Sequence, residues 1–408
     1  MNGRKNNGAS AGREVELLAP VGDMKKLDVA FQYGADAVYL AGKKLGMRAA
    51  SKNFDYDELK AASLAAHCRH KKFYVALNIF PNDDDLGQAD EYIDYLLSLH
   101  VDGLIVSDLG LIKRIIDSHC NVPVHVSTQA NVLNSDTARF YADMGVRRIV
   151  LARELDLTRI RRIRDRLPDT VELEAFVHGA MCISYSGRCL LSGYLTGRSA
   201  NRGECNQACR MNFTPDGDGE MLEFIEDDGT YVFGGNDLNM IRHLAELRDA
   251  GVASFKIEGR VKSEYYVGCI VNAYRKALNA MYSGSAVPEE IVAETSKAPN
   301  RGFNTGFYFG APVREKVDPP YYAFCGIVMD DTADGAVVEM RNRFKTGDKL
   351  EVLSYDDNYL NSIVTVPIMR AEDGNELTDA KVPCARVLLP GIRLPELSML
   401  RRKPPELS

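Results

Sequence analysis

The sequence predicts an α/β chain: an eight-fold β/α (TIM-like) barrel carrying a cysteine-containing insertion after its seventh strand, then a small C-terminal all-β barrel domain. Three observations predict it. Short β-branched or aromatic runs alternate with longer amphipathic stretches over the first three-fifths of the chain, the pattern of a parallel sheet with crossover helices. The runs number eight and spread over roughly 250 residues, which matches a closed barrel in count and length. After residue 300 the pattern changes to short strands set off by turns.

Taken in order, the expected barrel strands are 16–19, 37–40, 73–78, 103–106, 124–127, 148–151, 171–176 and 254–257, with helices such as 57–67, 90–99, 109–118 and 157–167 between them. No G-x-G-x-x-G follows the first strand, which weighs against the competing open, doubly wound sheet. About 60 residues separate the seventh strand from a helix expected at 238–249, whereas most such loops take 2–6 residues. The expected organisation is a disordered tail at 1–13, a barrel at 14–300 with an insertion at 178–236, and a β domain at 301–408. In that domain, strands are expected at 324–329, 335–340, 349–353, 362–369 and 385–389, with turns at 333–335 and 346–348.

Composition narrows the function. Apolar residues make up 45% of the 408 residues, charged residues 26%, and the net charge is −7, values ordinary for a soluble globular protein. A mildly acidic chain does not coat nucleic acid with its whole surface, though a local basic patch is compatible with it. No run reaches the roughly 18 apolar residues of a membrane span. Residues 1–13 lack the apolar stretch of a secretory signal, which predicts a cytoplasmic protein. Of nine cysteines, Cys68, Cys120, Cys269, Cys325 and Cys384 stand alone and read as small buried residues, while four fall within 28 residues. That clustering points to metal rather than to disulfides.

The reactive face of a β/α barrel is the carboxyl end of its strands. The residues there are Pro20, Arg48, Asn78, Ser127-Thr128-Gln129, Arg153-Glu154, Glu174, His178, Lys256, Glu258 and Arg260. Amides, arginines and carboxylates converging on one mouth suit a polar, anionic ligand. The titratable groups Glu174, His178, Lys256 and Glu258 are the catalytic candidates. Arg48, Asn78, Gln129, Arg153, Arg188, Arg202 and Arg260 are the candidates for binding substrate. Cys182, Cys189, Cys205 and Cys209 offer four thiolates, enough for either a zinc ion or a 4Fe–4S cube. Only Cys205–Cys209 has the knuckle spacing usual for structural zinc, so the uneven spacing suits a cluster better. Arg188, Arg202 and Arg210 beside them would offset its charge.

The segment 174–192 resembles the signature of the collagenase-like peptidase family U32. The resemblance takes in Leu17-Leu-Ala-Pro20, Ser127-Thr-Gln129, Leu151-Ala-Arg153-Glu154, residues 201–210, Phe255-Lys-Ile-Glu-Gly-Arg260 and Arg301-Gly-Phe-Asn-Thr-Gly306. Within the family, Cys205-Asn-Gln-Ala-Cys209 and the small C-terminal domain look most like the tRNA hydroxylation branch. That resemblance implies a 4Fe–4S cluster, prephenate as co-substrate and source of the hydroxyl, and formation of 5-hydroxyuridine at the wobble position in the tRNA anticodon loop. Two other readings stay open: a peptidase, and an iron–sulfur scaffold or RNA-binding subunit of a modification complex. Against the peptidase, the chain has no H-E-x-x-H, and a Cys182–His178 pair would leave three cysteines without a role. For RNA, the candidates are Arg188, Arg198, Arg202 and Arg210 near the mouth and Arg341, Arg343 and Lys345 in the β domain. Tyr185 and Tyr194 are candidates for stacking on bases.

Overall fold

A computed structural model describes residues 14–47, 52–118, 121–210, 235–312 and 320–405. The expected tail at 1–13, Arg48, Cys120 and the side chain of Arg210 lie outside the described residues. The first half of the chain alternates strand and helix: β1 (Glu16–Pro20), α1 (Met24–Gln32), β2 (Ala37–Leu40), α2 (Tyr56–His67), β3 (Lys72–Leu77), α3 (Asp83–Gly87), α4 (Ala89–Ser98), β4 (Gly103–Val106), α5 (Leu109–Asp117), β5 (Val124–Val126), α6 (Ser135–Met144), β6 (Arg148–Val150), α7 (Leu157–Arg166) and β7 (Glu172–Ala180). Then come α8 (Leu191–Thr196), β8 (Asp237–Asn239), α9 (Leu244–Asp249), β9 (Val252–Ile257), α10 (Glu264–Tyr282), α11 (Glu289–Ser296) and β10 (Phe303–Asn304).

Strands β1 to β7 pair in parallel with their sequence neighbours, and β9 pairs with both β7 and β1, so eight parallel strands close a barrel. The closing register sets Glu16 against Ser254 and Leu173 against Val252. Strand β4, Gly-Leu-Ile-Val, is buried along its whole length, as expected where helices cover the outside of a parallel sheet. The helices begin on the carboxyl side of the strands. Asp23, Asp55, Asp108, Asn134, Asp156 and Ser263 cap them by accepting a backbone N–H from the first turn, each contributing about 1 kcal/mol. These caps fix the loops of the mouth to rigid elements.

Beyond the barrel, β7 runs on to Ala180. There it meets β8 antiparallel, His178 against Asn239, and β8 in turn holds β10. The cysteine insertion therefore spans 181–236, with 211–234 outside the described residues. The helix expected at 238–249 is shorter: its first residues form β8, and only Leu244–Asp249 is helical. Asn239 explains the break, because its Oδ1 accepts the Ile241 N–H and competes with helical pairing.

The C-terminal domain comprises β11 (Ala323–Thr332), β12 (Gly335–Met340), β13 (Phe344–Lys345), β14 (Lys349–Leu353), β15 (Ile363–Thr365), β16 (Met369–Ala371), β17 (Glu376–Leu377), β18 (Asp379–Ala380), β19 (Arg386–Pro390) and β20 (Met399–Arg402). It is an antiparallel sheet ordered β15-β14-β20-β11-β12-β19-β16-β17, plus the pair β13-β18. Its hydrogen-bonded order is open at β15 and β17 rather than a closed ring. The strand expected at 362–369 divides into β15 and β16 around Pro367, which has no N–H to donate. The domain shares a core with the barrel: Ile327, Leu353 and Met399 join its apolar cluster. Arg401, wholly buried, pairs with Glu294 and, at 2.6 Å, with Glu351. Tyr33 of the barrel side donates to the Leu353 and Leu397 carbonyls.

Candidate active site

Inside the barrel, below the mouth, lies a layer of buried charge. Arg148 reaches Glu16 at 2.6 Å, Glu172 at 2.7 Å and Glu174 at 3.1 Å. Lys256 takes the other oxygen of Glu174 at 2.7 Å. The Tyr74 hydroxyl donates to Glu16 at 2.6 Å. Burial works to raise the Glu16 carboxyl, but the charge and hydrogen bonds of Arg148 prevail and hold it below the usual range. His125, packed against Tyr74, is driven well below its ordinary value by burial and then by Arg148 and Lys256, so it is neutral.

Above this layer opens a cavity of about 160 Å³. Its floor is Lys256, whose ammonium sits 4.3 Å from the centre of the Tyr39 ring and 5.5 Å from that of Phe176. The Tyr39 hydroxyl donates to the Ile257 carbonyl at 3.0 Å and to Glu258 at 3.2 Å. Burial, then the Glu258 charge, pushes that phenol well above its ordinary range, so it is a donor at neutral pH. The Arg153 guanidinium carbon stands over the Phe176 ring, 3.8 Å from its centre; the side chain donates to the Ala180 carbonyl at 2.7 Å and stands 3.9 Å from Glu258. On the opposite wall Gln129 Oε1 accepts from Asn78 Nδ2 at 3.1 Å, Ser107 Oγ at 3.2 Å and Ser127 Oγ at 3.3 Å. Buried Arg260 donates to the Met47 carbonyl at 2.9 Å and to Asn53 at 2.7 Å.

The insertion covers this chamber. Cys182, Cys189, Cys205 and Cys209 all line the same cavity as Lys256, Glu258 and Arg260. The turn between the first two thiols is clamped. Ser186, in the left-handed region at φ 49°, gives its N–H to Glu154 at 2.6 Å and its hydroxyl to Glu154 and Asn131. Arg188 ties the same turn to the Gln129 carbonyl at 2.7 Å. Gly179, at φ 107°, lets β7 pass close to β9, since a Cβ there would stand 2.5 Å from the Glu258 carbonyl oxygen.

The cavity thus brings together Asn78, Gln129, Arg153, Lys256, Glu258, Arg260 and the four clustered cysteines. Other expected site residues lie elsewhere. Glu174 is beneath the floor, where it anchors Lys256. His178 points away from the cavity, among Tyr266, Tyr274 and Phe303, and burial pushes its pKa down to about 3. Arg188 braces the insertion, and Arg202 pairs with Asp85 at 2.6 Å outside the chamber. In the β domain Arg341 is engaged by Glu264 and Glu339, and Arg343 by Asp379. The sequence reading passed over Tyr39 and Phe176. Strand alternation carries a signal for Phe176, two residues beyond Glu174 on β7.

Cys182 is exposed, and Cys189, Cys205 and Cys209 are partly buried. Among the described residues, no three His, Cys, Asp or Glu side chains group as they do around a single ion. Four soft donors distributed around one cavity, with Arg153, Lys256 and Arg260 to offset negative charge, fit an iron–sulfur cube, whose ligands sit on separate irons.

Fold and site together define a β/α-barrel protein with a thiol-roofed, polar chamber at the carboxyl end of its strands. The chain belongs to peptidase family U32: residues 22–318 match that family, and residues 320–401 match the peptidase family U32 C-terminal domain. It is 35% identical over 386 residues to tRNA hydroxylation protein P1 of Bacillus subtilis, covering 91% of this chain and 90% of that one. It is 40% identical over 314 residues to tRNA hydroxylation protein P of Helicobacter pylori (strain ATCC 700392 / 26695), covering 75% and 74%. An uncharacterized protease of Methanocaldococcus jannaschii is 43% identical over 305 residues, covering 72% and 73%. A solved structure of a U32 peptidase, Mk0906, aligns at a TM-score of 0.42 with 16% identity, over 61% of this chain and 95% of that one. Among the described residues no helix is long and apolar enough to cross a membrane.

Proposed function

We propose that this chain is an RNA-modifying hydroxylase that forms 5-hydroxyuridine at the wobble position of tRNA, with a 4Fe–4S cluster on Cys182, Cys189, Cys205 and Cys209 and prephenate as the source of the hydroxyl. One observation carries the reading: the four thiols and a cationic, amide-lined chamber share a single cavity. The relatives named as tRNA hydroxylation proteins support the RNA substrate, since they cover nine-tenths and three-quarters of this chain. When bound, the cluster supplies one-electron redox chemistry.

The chain's own residues do the rest. Lys256, fixed by Glu174 below and by the faces of Tyr39 and Phe176, presents a positive charge at the floor that suits one carboxylate of a dianion. Arg260 and Arg153 are placed to meet the second. Asn78 and Gln129 supply amides that distinguish a polar ring from an apolar one. Glu258, hydrogen-bonded by Tyr39, is the carboxylate in reach to take a proton inside the cavity. The clamped turn holds Cys182 and Cys189 at the cavity.

Among the described residues the peptidase reading finds no thiol–histidine pair at the cavity. No histidine among the described residues lines the cavity, and His178 faces the opposite side of β7. The test is nucleoside analysis of tRNA from a strain lacking the gene, complemented with the wild type or with Cys205→Ala, together with iron quantitation on protein purified without oxygen. Loss of 5-hydroxyuridine, restored by the wild type alone, and about four irons per chain are expected. Unchanged tRNA would leave a scaffold or a peptidase. Zinc in place of iron after anaerobic reconstitution would remove the cluster.

A further inference from the structure

A second cavity, of about 700 Å³, opens on the same face of the barrel. It lies between the loop after β2, the first turns of α2 and α3, and Arg202 of the insertion. Lys43, Lys44, Lys52 and Arg202 line it. Arg260 links the two: it lines the chamber and holds the Met47 carbonyl and Asn53, and Asn53 lines the second cavity.

Carboxylates line this cleft too, but most are already engaged. Asp55 and Glu58 form the capping box of α2, and Asp55 also faces Lys43 at 3.4 Å. Asp85 accepts from Asn82 and from both terminal nitrogens of Arg202. Asp84 remains. Lys44 and Lys52 have no carboxylate partner among the described residues, so they are the cations the cleft can offer to an anion. A chamber that takes an extruded base leaves the flanking phosphates at its rim, and the Arg260–Asn53 hydrogen bond joins the cleft to that chamber.

We propose that this cleft is the track for the sugar–phosphate backbone of the single strand flanking the target nucleotide, with Lys44 and Lys52 each neutralising one phosphodiester. The proposal rests on the RNA reading above. It assigns the strand's path to the β2–α2 side of the mouth and gives the C-terminal sheet no part in it.

The experiment measures binding of an anticodon stem-loop RNA to the full chain by fluorescence anisotropy as salt is raised. Each phosphate neutralised on a single strand contributes about 0.7 to the slope of log affinity against log salt. Lys44→Ala/Lys52→Ala should therefore flatten the slope by about 1.4. Between about 50 and 200 mM salt the wild type then loses about seven-fold more affinity than the variant. Lys60→Ala, an exposed lysine on α2 outside the cleft, should keep the wild-type slope. Lys44→Glu/Lys52→Glu should bind more weakly than the alanine pair. A double alanine variant with the wild-type slope and affinity overturns the cleft and leaves the RNA reading standing. A wild type that does not bind the stem-loop at all overturns both.

Discussion

Glu174→Gln removes one charge from the centre of the barrel while keeping the side chain's shape. Glu174 is completely buried, 2.7 Å from Lys256 and 3.1 Å from Arg148. Arg148 keeps Glu16 and Glu172 when Glu174 is neutral. Lys256 keeps the faces of Tyr39 and Phe176 but is left without an ion-pair partner among the described residues. Leaving one partner of a buried pair uncompensated costs about 3–5 kcal/mol. With a urea m-value near 3 kcal/mol/M, at the top of the range for small proteins, the unfolding midpoint falls by about 1–1.7 M. Midpoints followed by near- and far-ultraviolet circular dichroism are compared directly, because a chain of two packed domains can depart from two-state unfolding. The second arm is Glu174→Gln/Lys256→Met. Replacing both members of a buried pair with neutral groups is close to neutral, so the double variant should recover most of the lost stability. A double variant at least as unstable as the single would refute the assignment of Glu174 as the counter-ion that holds Lys256 at the chamber floor.

Two further outcomes follow from groups already placed. His178 has its pKa pushed from 6.5 down to about 3 by burial, so between those values the unfolded chain binds a proton that the folded chain refuses. Stability should therefore be intact above pH 6.5 and fall toward pH 3; at pH 5 the cost is about 2 kcal/mol, and His178→Gln should show a correspondingly flatter change in urea midpoint between pH 7 and pH 5. Parallel pH dependences would mean that His178 is not kept neutral. Tyr194 is 85% exposed and Tyr185 57% exposed, both on the insertion that roofs the chamber. A base stacked on either ring is worth about 1–3 kcal/mol, so Tyr194→Ala or Tyr185→Ala should weaken stem-loop binding by about 5- to 150-fold and leave the unfolding midpoint unchanged. A ring whose loss leaves the affinity unaltered is no stacking platform.

The barrel was legible because its strands are buried on both faces and its helices on one, so each kind of element leaves its own period in the sequence. All eight expected strands fall on β1 to β7 and β9, with ends that differ by a few residues at most. The cavity was partly legible for a related reason: in this fold the chain positions just beyond the strands must converge. Asn78, Gln129, Arg153, Glu258 and Arg260 do so. What the pattern could not convey was direction at the point where a strand outgrows the barrel. His178 lies four residues beyond Glu174, yet the β7–β9 register shifts between Phe176 and His178 and turns the imidazole to the far side. Arginines were misleading in another way. Their charge is visible in the sequence, but their partners are not, and Arg188, Arg202 and Arg341 are each engaged by groups at least 50 residues away. Strand β20 also escaped notice, because its Met-Leu-Arg-Arg places a charged residue, Arg401, where only the distant Glu294 and Glu351 make burial tolerable.

The position of the insertion also imposes an order in time. β9 closes the barrel by pairing with β1, across 238 residues of chain at Ser254 and Glu16, and it is made after every cysteine of the insertion. From Cys209, the last of the four, to Ile257 there are about 48 residues, and synthesis at about 5–20 residues per second takes about 2–10 s to cover them. Each newly made chain therefore presents its four thiols for seconds before the walls around them exist. The first oxidant or metal donor to reach them meets a nascent loop rather than a chamber.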